Sequence, residues 1–77
     1  MIPTLEFDTY NDLINYIEEE KATISDFNYT QKKHQDILGN NLYSISGVIK
    51  INNDSFSIKM DEYITLDEVN LIQNYTI

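Results

Sequence analysis

The stretch 42–64, "LYSISGVIKINNDSFSIKMDEYI", decides the fold. Its residues alternate. Tyr43, Ile45, Gly47, Ile49 and Ile51 fall on one side, and Leu42, Ser44, Ser46, Val48 and Lys50 on the other. After "NNDS" the alternation resumes, with Phe56, Ile58, Met60 and Ile64 sharing a face with Glu62. A period of two is the signature of strands that bury one face. A two-residue turn at Asn53-Asp54 pairs Ile51 with Phe56, Ile49 with Ile58, Gly47 with Met60 and Tyr43 with Ile64. Every pair on that face is then apolar against apolar, except Ile45 with Glu62. Turn and pattern specify the same register, so a β-hairpin is expected here.

Upstream, "IPTLEF" alternates Leu5 and Phe7 with Thr4 and Glu6. It reads as a short strand, which Pro3 confines to a strand start or a sheet edge. In "DTYNDLINYIEEEK" the residues Tyr10, Leu13, Ile14 and Ile17 follow i, i+3, i+4, i+7 spacing, one face of a helix. Asp8 or Thr9 is a suitable N-cap, and the helix is expected over about 9–21. Asp8 and Asp12 suit its first turn and Lys21 its last, whereas Glu18, Glu19 and Glu20 oppose the dipole at that end.

Two segments read less simply. In 22–41, Phe27 and Tyr29 suit a short strand. Thr30 suits the cap of a short helix over 31–38, with Gly39 as its C′ residue and Gly39-Asn40-Asn41 as a turn. At the C-terminus, Thr65-Leu66-Asp67-Glu68 matches a capping box, but Val69, Leu71, Gln73, Tyr75 and Ile77 alternate. The alternation favours a last strand over 68–77, turned by "TLDE". The expected fold is a small α+β domain spanning 1–77. An antiparallel sheet of three to four strands packs one face on one amphipathic helix and leaves the other face polar.

Composition limits the chemistry. The 77 residues contain no Cys and one His, so disulfides and thiolate metal sites are excluded and a histidine site nearly so. Neither of the two glycines stands in a phosphate-loop pattern, and no calcium-loop motif occurs. His34 lies in "TQKKHQDIL" and reads as a solvent-facing residue of a polar segment. A chain this short has little room for a substrate cleft of ~300 Å3 or more. No catalytic residues, metal or cofactor are expected, and the protein is read as a non-enzyme.

Charge supplies the remaining signal. Thirteen acids against five lysines give a formal net charge of −8. Such a chain repels nucleic acid and anionic membrane and favours cationic partners. Asp8, Asp12, Asn15 and Glu19 form one line along the helix, flanked by Asn11 and Glu18. Asp61, Glu62, Asp67 and Glu68 form a second acidic set. Carboxylates one helical turn apart are separated by ~5–6 Å, the same order as successive phosphates on a nucleic-acid strand. An acidic stripe of this kind can therefore offer a basic groove what a phosphate backbone offers.

In size, charge, lack of Cys and bias toward Asn, Ile, Tyr and Lys, the chain resembles small acidic inhibitors of phages and mobile elements. These include anti-CRISPR proteins and other nucleic-acid mimics. The resemblance implies a stoichiometric inhibitor whose acids pair with Lys and Arg of a nucleic-acid enzyme. The opening "MIPTLEFDTY" has no basic and apolar signal regions and no window approaches a membrane span, so a cytoplasmic location is expected, and the net charge argues against direct binding to nucleic acid or membrane. The alternative is a protein–protein interaction module, such as an antitoxin, immunity or regulatory partner. In that reading it could be homodimeric through a sheet edge at the C-terminal segment.

Overall fold

The computed structural model describes residues 2–76, the His34 side chain excepted. The fold class is α+β. The elements run β1 (Thr4–Phe7), α1 (Tyr10–Glu20), β2 (Thr23–Gln35), β3 (Asn41–Ile51), β4 (Asp54–Met60) and α2 (Leu66–Ile72). A 3-10 turn, Gln73–Tyr75, follows α2. The four strands form one sheet in the order β1-β4-β3-β2. β2, β3 and β4 are antiparallel neighbours, but β1 lies parallel to β4, so the sheet is mixed rather than wholly antiparallel. β1 and β2 occupy opposite edges, and α1 carries the chain between them.

The hairpin forms with a different turn. The turn residues are Asn52-Asn53, so Ile51 pairs with Asp54 and Ile49 with Phe56, two positions from the expected register. Asn52 adopts φ +54°, a left-handed conformation that Asn tolerates better than most side chains. A shift of two preserves the faces, so the core side of each strand is as expected. At the far end Tyr43 and Ile64 pair as expected and exchange both backbone hydrogen bonds, at 2.7 and 2.9 Å. Residues 61–63 leave the ladder between these two registers. Glu62 therefore does not face Ile45, and the one mismatched pair of the expected register disappears.

The segment 22–41 is neither a short strand nor a strand followed by a helix. β2 runs through it for 13 residues along β3, with register breaks between Ser25 and Asn28 and between Gln31 and Gln35. In the first break Asp26, at φ +53°, and Phe27 lie opposite Gly47 alone. A Cβ on Gly47 would stand 3.2 Å from Ile24 Cγ2 and 3.3 Å from the Ser25 carbonyl. Glycine is therefore what allows the bulged strand to approach β3 here. The expected helix over 31–38 is replaced by strand and by a loop whose backbone bonds to Asp36.

The expected last strand is also absent. Residues 66–72 are helical, and the capping box is complete, with the Thr65 and Glu68 side chains each bonding the other's backbone N–H. Val69 and Ile72 are buried by this helix, while Leu71 of the alternating set is exposed. Only Thr76 joins the sheet, through a parallel bridge to Ile24. Ile77, the end of the expected strand, lies outside the described residues.

Both helices contribute to one core. Leu13 and Ile17 of α1 and Val69 and Ile72 of α2 are fully buried with Ile24, Ile49 and Ile64 of the sheet side. Phe7 meets Tyr16 edge to face at 5.5 Å between ring centroids, joining β1 to α1. The reverse side of the sheet carries Thr4, Ser57, Val48 and Ser25 in one registered row. It also carries an exposed Lys59–Glu6 ion pair at 3.7 Å, and it is the polar face the alternation predicts.

Candidate acidic surface

α1 begins where the sequence places its cap. Thr9 is extended at φ −133°, and its hydroxyl accepts the Asp12 backbone N–H at 3.2 Å. The helix ends at Lys21 in the left-handed region, with the Ala22 N–H bonded to the Ile17 carbonyl at 2.9 Å. Lys21 thus closes the helix with its backbone, in the place glycine usually takes.

The first acidic group gathers at the start of α1. The Asp61 backbone N–H donates to the Phe7 carbonyl at 3.2 Å, which brings 61–62 beside Asp8. Glu62 Oε1 accepts the Tyr10 backbone N–H at 2.8 Å. Asp8, Asp12, Asp61 and Glu62 therefore surround a helix N-terminus, where unsatisfied N–H groups and the dipole favour negative charge. Helix chemistry accounts for their presence, and Glu62 is an N-terminal capping group.

The second group lies where α1 meets the C-terminal segment. Glu18 Oε1 accepts a hydrogen bond from the Tyr75 hydroxyl at 2.9 Å, 57 residues away. Partial burial and the charges of Glu68 and Glu18 hold the Tyr10 phenol above its ordinary titration range. The hydrogen bond to Glu18 does the same for Tyr75. Tyr10 and Tyr75 thus lie between carboxylates contributed by both helices. Glu68 is also committed to the α2 capping box through Thr65, at 3.1 Å to its N–H.

The remaining residues make no such contacts. Asp12, Asn15 and Glu19 project from the exposed flank of α1, and Asp67 is exposed on the first turn of α2. The acidic surface expected from the sequence comprises Asp8, Asp12, Asn15, Glu18, Glu19, Asp61, Glu62, Asp67 and Glu68. The structure gives Glu18, Glu62 and Glu68 side-chain bonds within the fold and leaves the Asp8, Asp12, Asn15, Glu19, Asp61 and Asp67 side chains turned to solvent. Neither helix contains a lysine. Lys50 and Lys59 lie on the opposite face of the sheet, and Lys32 and Lys33 lie in β2. The helical layer is thus the acidic side of the molecule.

The sequence leads one to expect Tyr beside the acidic stripe, but not which tyrosines stand there. Tyr10 stands two helical turns before Glu18 on one side of α1, a spacing that indicates the neighbourhood. Tyr75 carries no local signal, because its placement depends on α2. Among the described residues, no group of three His, Asp or Glu is arranged to hold a metal ion. Likewise, no helix among them is long and apolar enough to cross a membrane. Two open grooves of about 230 and 400 Å3 are lined by residues such as Asn40, Tyr43 and Asp67 in one and Phe27 and Gln73 in the other. No family model matches the chain, and comparisons with curated proteins and with solved structures give no match.

Proposed function

We propose that this protein is a non-enzymatic inhibitor that occupies the basic site of a nucleic-acid-binding protein with its acidic helical layer. A CRISPR effector or another defence nuclease is a target of the right chemistry. One observation carries the reading. The last turn of α1 holds Glu18, Glu19 and Glu20, with no basic residue in that turn. The acids at the N-terminus stabilise the helix. Those at the C-terminus oppose the dipole, each costing a few tenths of a kcal/mol or more. The Tyr75 hydrogen bond accounts for Glu18, but stability does not explain Glu19 and Glu20, and a cationic partner does. Tyr10 and Tyr75 between the acids add flat amphipathic surface of the kind interfaces favour.

Asp12, Glu19 and Asp67 are the residues for a decisive test, because their side chains make no hydrogen bond within the fold; circular dichroism checks that reversing the two first-turn acids, Asp12 and Asp67, leaves the helices intact. The wild-type chain and the triple lysine variant are used to capture proteins from a bacterial lysate at low salt. Wild type is expected to retain a protein whose nucleic-acid binding it blocks and which duplex DNA displaces. The triple variant is expected to lose it. Capture that survives the triple reversal, or that DNA does not compete with, rules the reading out.

A further inference from the structure

The C-terminal strand was the expected site of self-association, and it does not exist. The open edge lies instead on β2. Among the described residues, its outer side is met only by Thr76, at Ile24. From Asn28 to Gln31 the strand is regular, between its two register breaks, and pairs only with β3 on its inner side.

We propose that a second copy of this chain pairs with this edge. The two β2 strands run antiparallel about a twofold axis at Tyr29. This register places Tyr29 opposite Tyr29 of the second copy, Asn28 opposite its Thr30 and Phe27 opposite its Gln31. Just beyond the regular stretch, Asp26 of the bulge falls nearest the second copy's Lys32, and Lys32 nearest its Asp26. A twofold edge pairing must keep side-chain faces matched, and this centring does so.

Three observations select this occupant. The first is charge. β2 holds Lys32 and Lys33 against Asp26, so it is net positive in a chain whose formal charge is −8. Two copies that repel each other elsewhere meet here with complementary pairs. The second is the aromatic row. Tyr29 is 45% exposed and packs edge to face on Tyr43 at 5.8 Å, with Phe27 at 6.1 Å on its other side. Pairing at Tyr29 makes the two rows continuous and covers the exposed rings. The third is length. The regular edge is bounded by the Asp26–Phe27 bulge and Thr76 at one end and by the second register break at the other. It therefore fits a short reciprocal pairing rather than an open-ended stack. Lys32 Nζ lies 5.8 Å from the centroid of the Tyr63 ring, across β3, and its flexible side chain turns from that contact to meet a carboxylate of the second copy.

Sedimentation equilibrium of the full chain tests this, together with the single reversals Asp26→Lys and Lys32→Asp and the double swap. Wild type is expected to pass from the 9.0 kDa monomer to a dimer of twice that mass. A short edge pairing places that transition between about 10 μM and 1 mM. Each single reversal sets like charges against each other twice and is expected to weaken association about tenfold or more. The double swap is expected to restore it. Far-UV circular dichroism confirms that each variant is folded. Wild type that stays monomeric to about 1 mM, single reversals that leave the affinity unchanged, or a double swap that fails to recover it each overturn the proposal. A dimer that follows the charge swap supports it.

Discussion

Glu62 holds the start of α1, its Oε1 accepting the Tyr10 backbone N–H at 2.8 Å across 52 residues of chain. This one bond ties the segment after β4 to the first turn of the helix and satisfies an N–H that has no intrahelical partner. Replacing Glu62 with Ala is expected to cost about 1–2 kcal/mol, the range for loss of a capping acceptor. Glu62→Gln keeps a carbonyl acceptor and loses only the charge, so its cost is expected to be roughly half. Urea unfolding monitored by circular dichroism measures both. An unchanged midpoint for Glu62→Ala removes the capping role. It follows that Glu62 is a poor residue on which to test binding, because reversing it confounds affinity with folding.

Gly47→Ala is expected to destabilise by about 1–3 kcal/mol, the usual cost of overpacking. The added methyl stands 3.2 Å from Ile24 Cγ2, and Ile24 is fully buried. The strain is local, so the urea midpoint is expected to fall with the slope unchanged. The bulge that imposes this was not legible in the sequence. Alternation along 42–51 treats Gly47 as one more inward position. That two residues of β2 oppose it becomes visible only once β2 is paired. The same cause explains the hairpin turn. Both candidate turns give an odd-numbered pairing sum and bury the same faces, so hydrophobic pattern alone does not distinguish them.

Thr65→Ala is expected to cost about 1 kcal/mol, within a range of 0.5–2. It is also expected to speed amide exchange at Val69, whose N–H bonds the Thr65 carbonyl at 3.0 Å in the first turn of α2. A variant with wild-type exchange at that amide shows that the capping box does not hold the helix. This box was legible, and the competing alternation of 69–77 outweighed it wrongly. Val69 and Ile72 are three apart and both buried, whereas Leu71 is exposed. A period of two over so few residues did not outweigh a complete cap. The strand β1, the extent of α1 and its Thr9 cap were legible because local pattern determines them. The length of β2 was not, since polar residues from Asn28 to Gln35 join the sheet only through pairing with β3.

Alkaline titration reads the Tyr75–Glu18 contact directly. The hydrogen bond to Glu18 favours the protonated phenol of Tyr75, and burial with the charges of Glu68 and Glu18 favours that of Tyr10. Both phenols titrate higher in the folded state than in the unfolded chain. Their contribution to stability is therefore complete below the unfolded value of about 10 and is lost as pH rises through the folded values. Glu18→Gln is expected to lower the Tyr75 midpoint toward the ordinary tyrosine value, with a smaller effect at Tyr10. NMR of the tyrosine ring signals against pH resolves the two. A Tyr75 midpoint that Glu18→Gln leaves in place excludes the bond.

The loop after β2 is built by one carboxylate. Asp36 Oδ1 accepts the backbone N–H groups of Asn40 at 2.8 Å and Leu38 at 2.9 Å, and Oδ2 accepts the Asn40 side-chain amide at 3.1 Å. These bonds, those to Asn40 above all, hold the Asp36 carboxyl below the ordinary aspartate range. A depressed carboxylate stabilises the loop above the unfolded value of about 3.9, and the effect is lost as pH falls through the folded value. The loop also presents Ile37 and Leu38 almost wholly to solvent, so apolar burial does not fix its shape and the Asp36 bonds must. Asp36→Ala is therefore expected to speed amide exchange at Leu38 and Asn40 severalfold at neutral pH, with the global unfolding midpoint nearly unchanged. In wild type the same amides are expected to lose protection on acidification, with a midpoint below that of an ordinary aspartate. Equal exchange at Leu38 in wild type and variant would show that the loop is ordered by something other than this carboxylate.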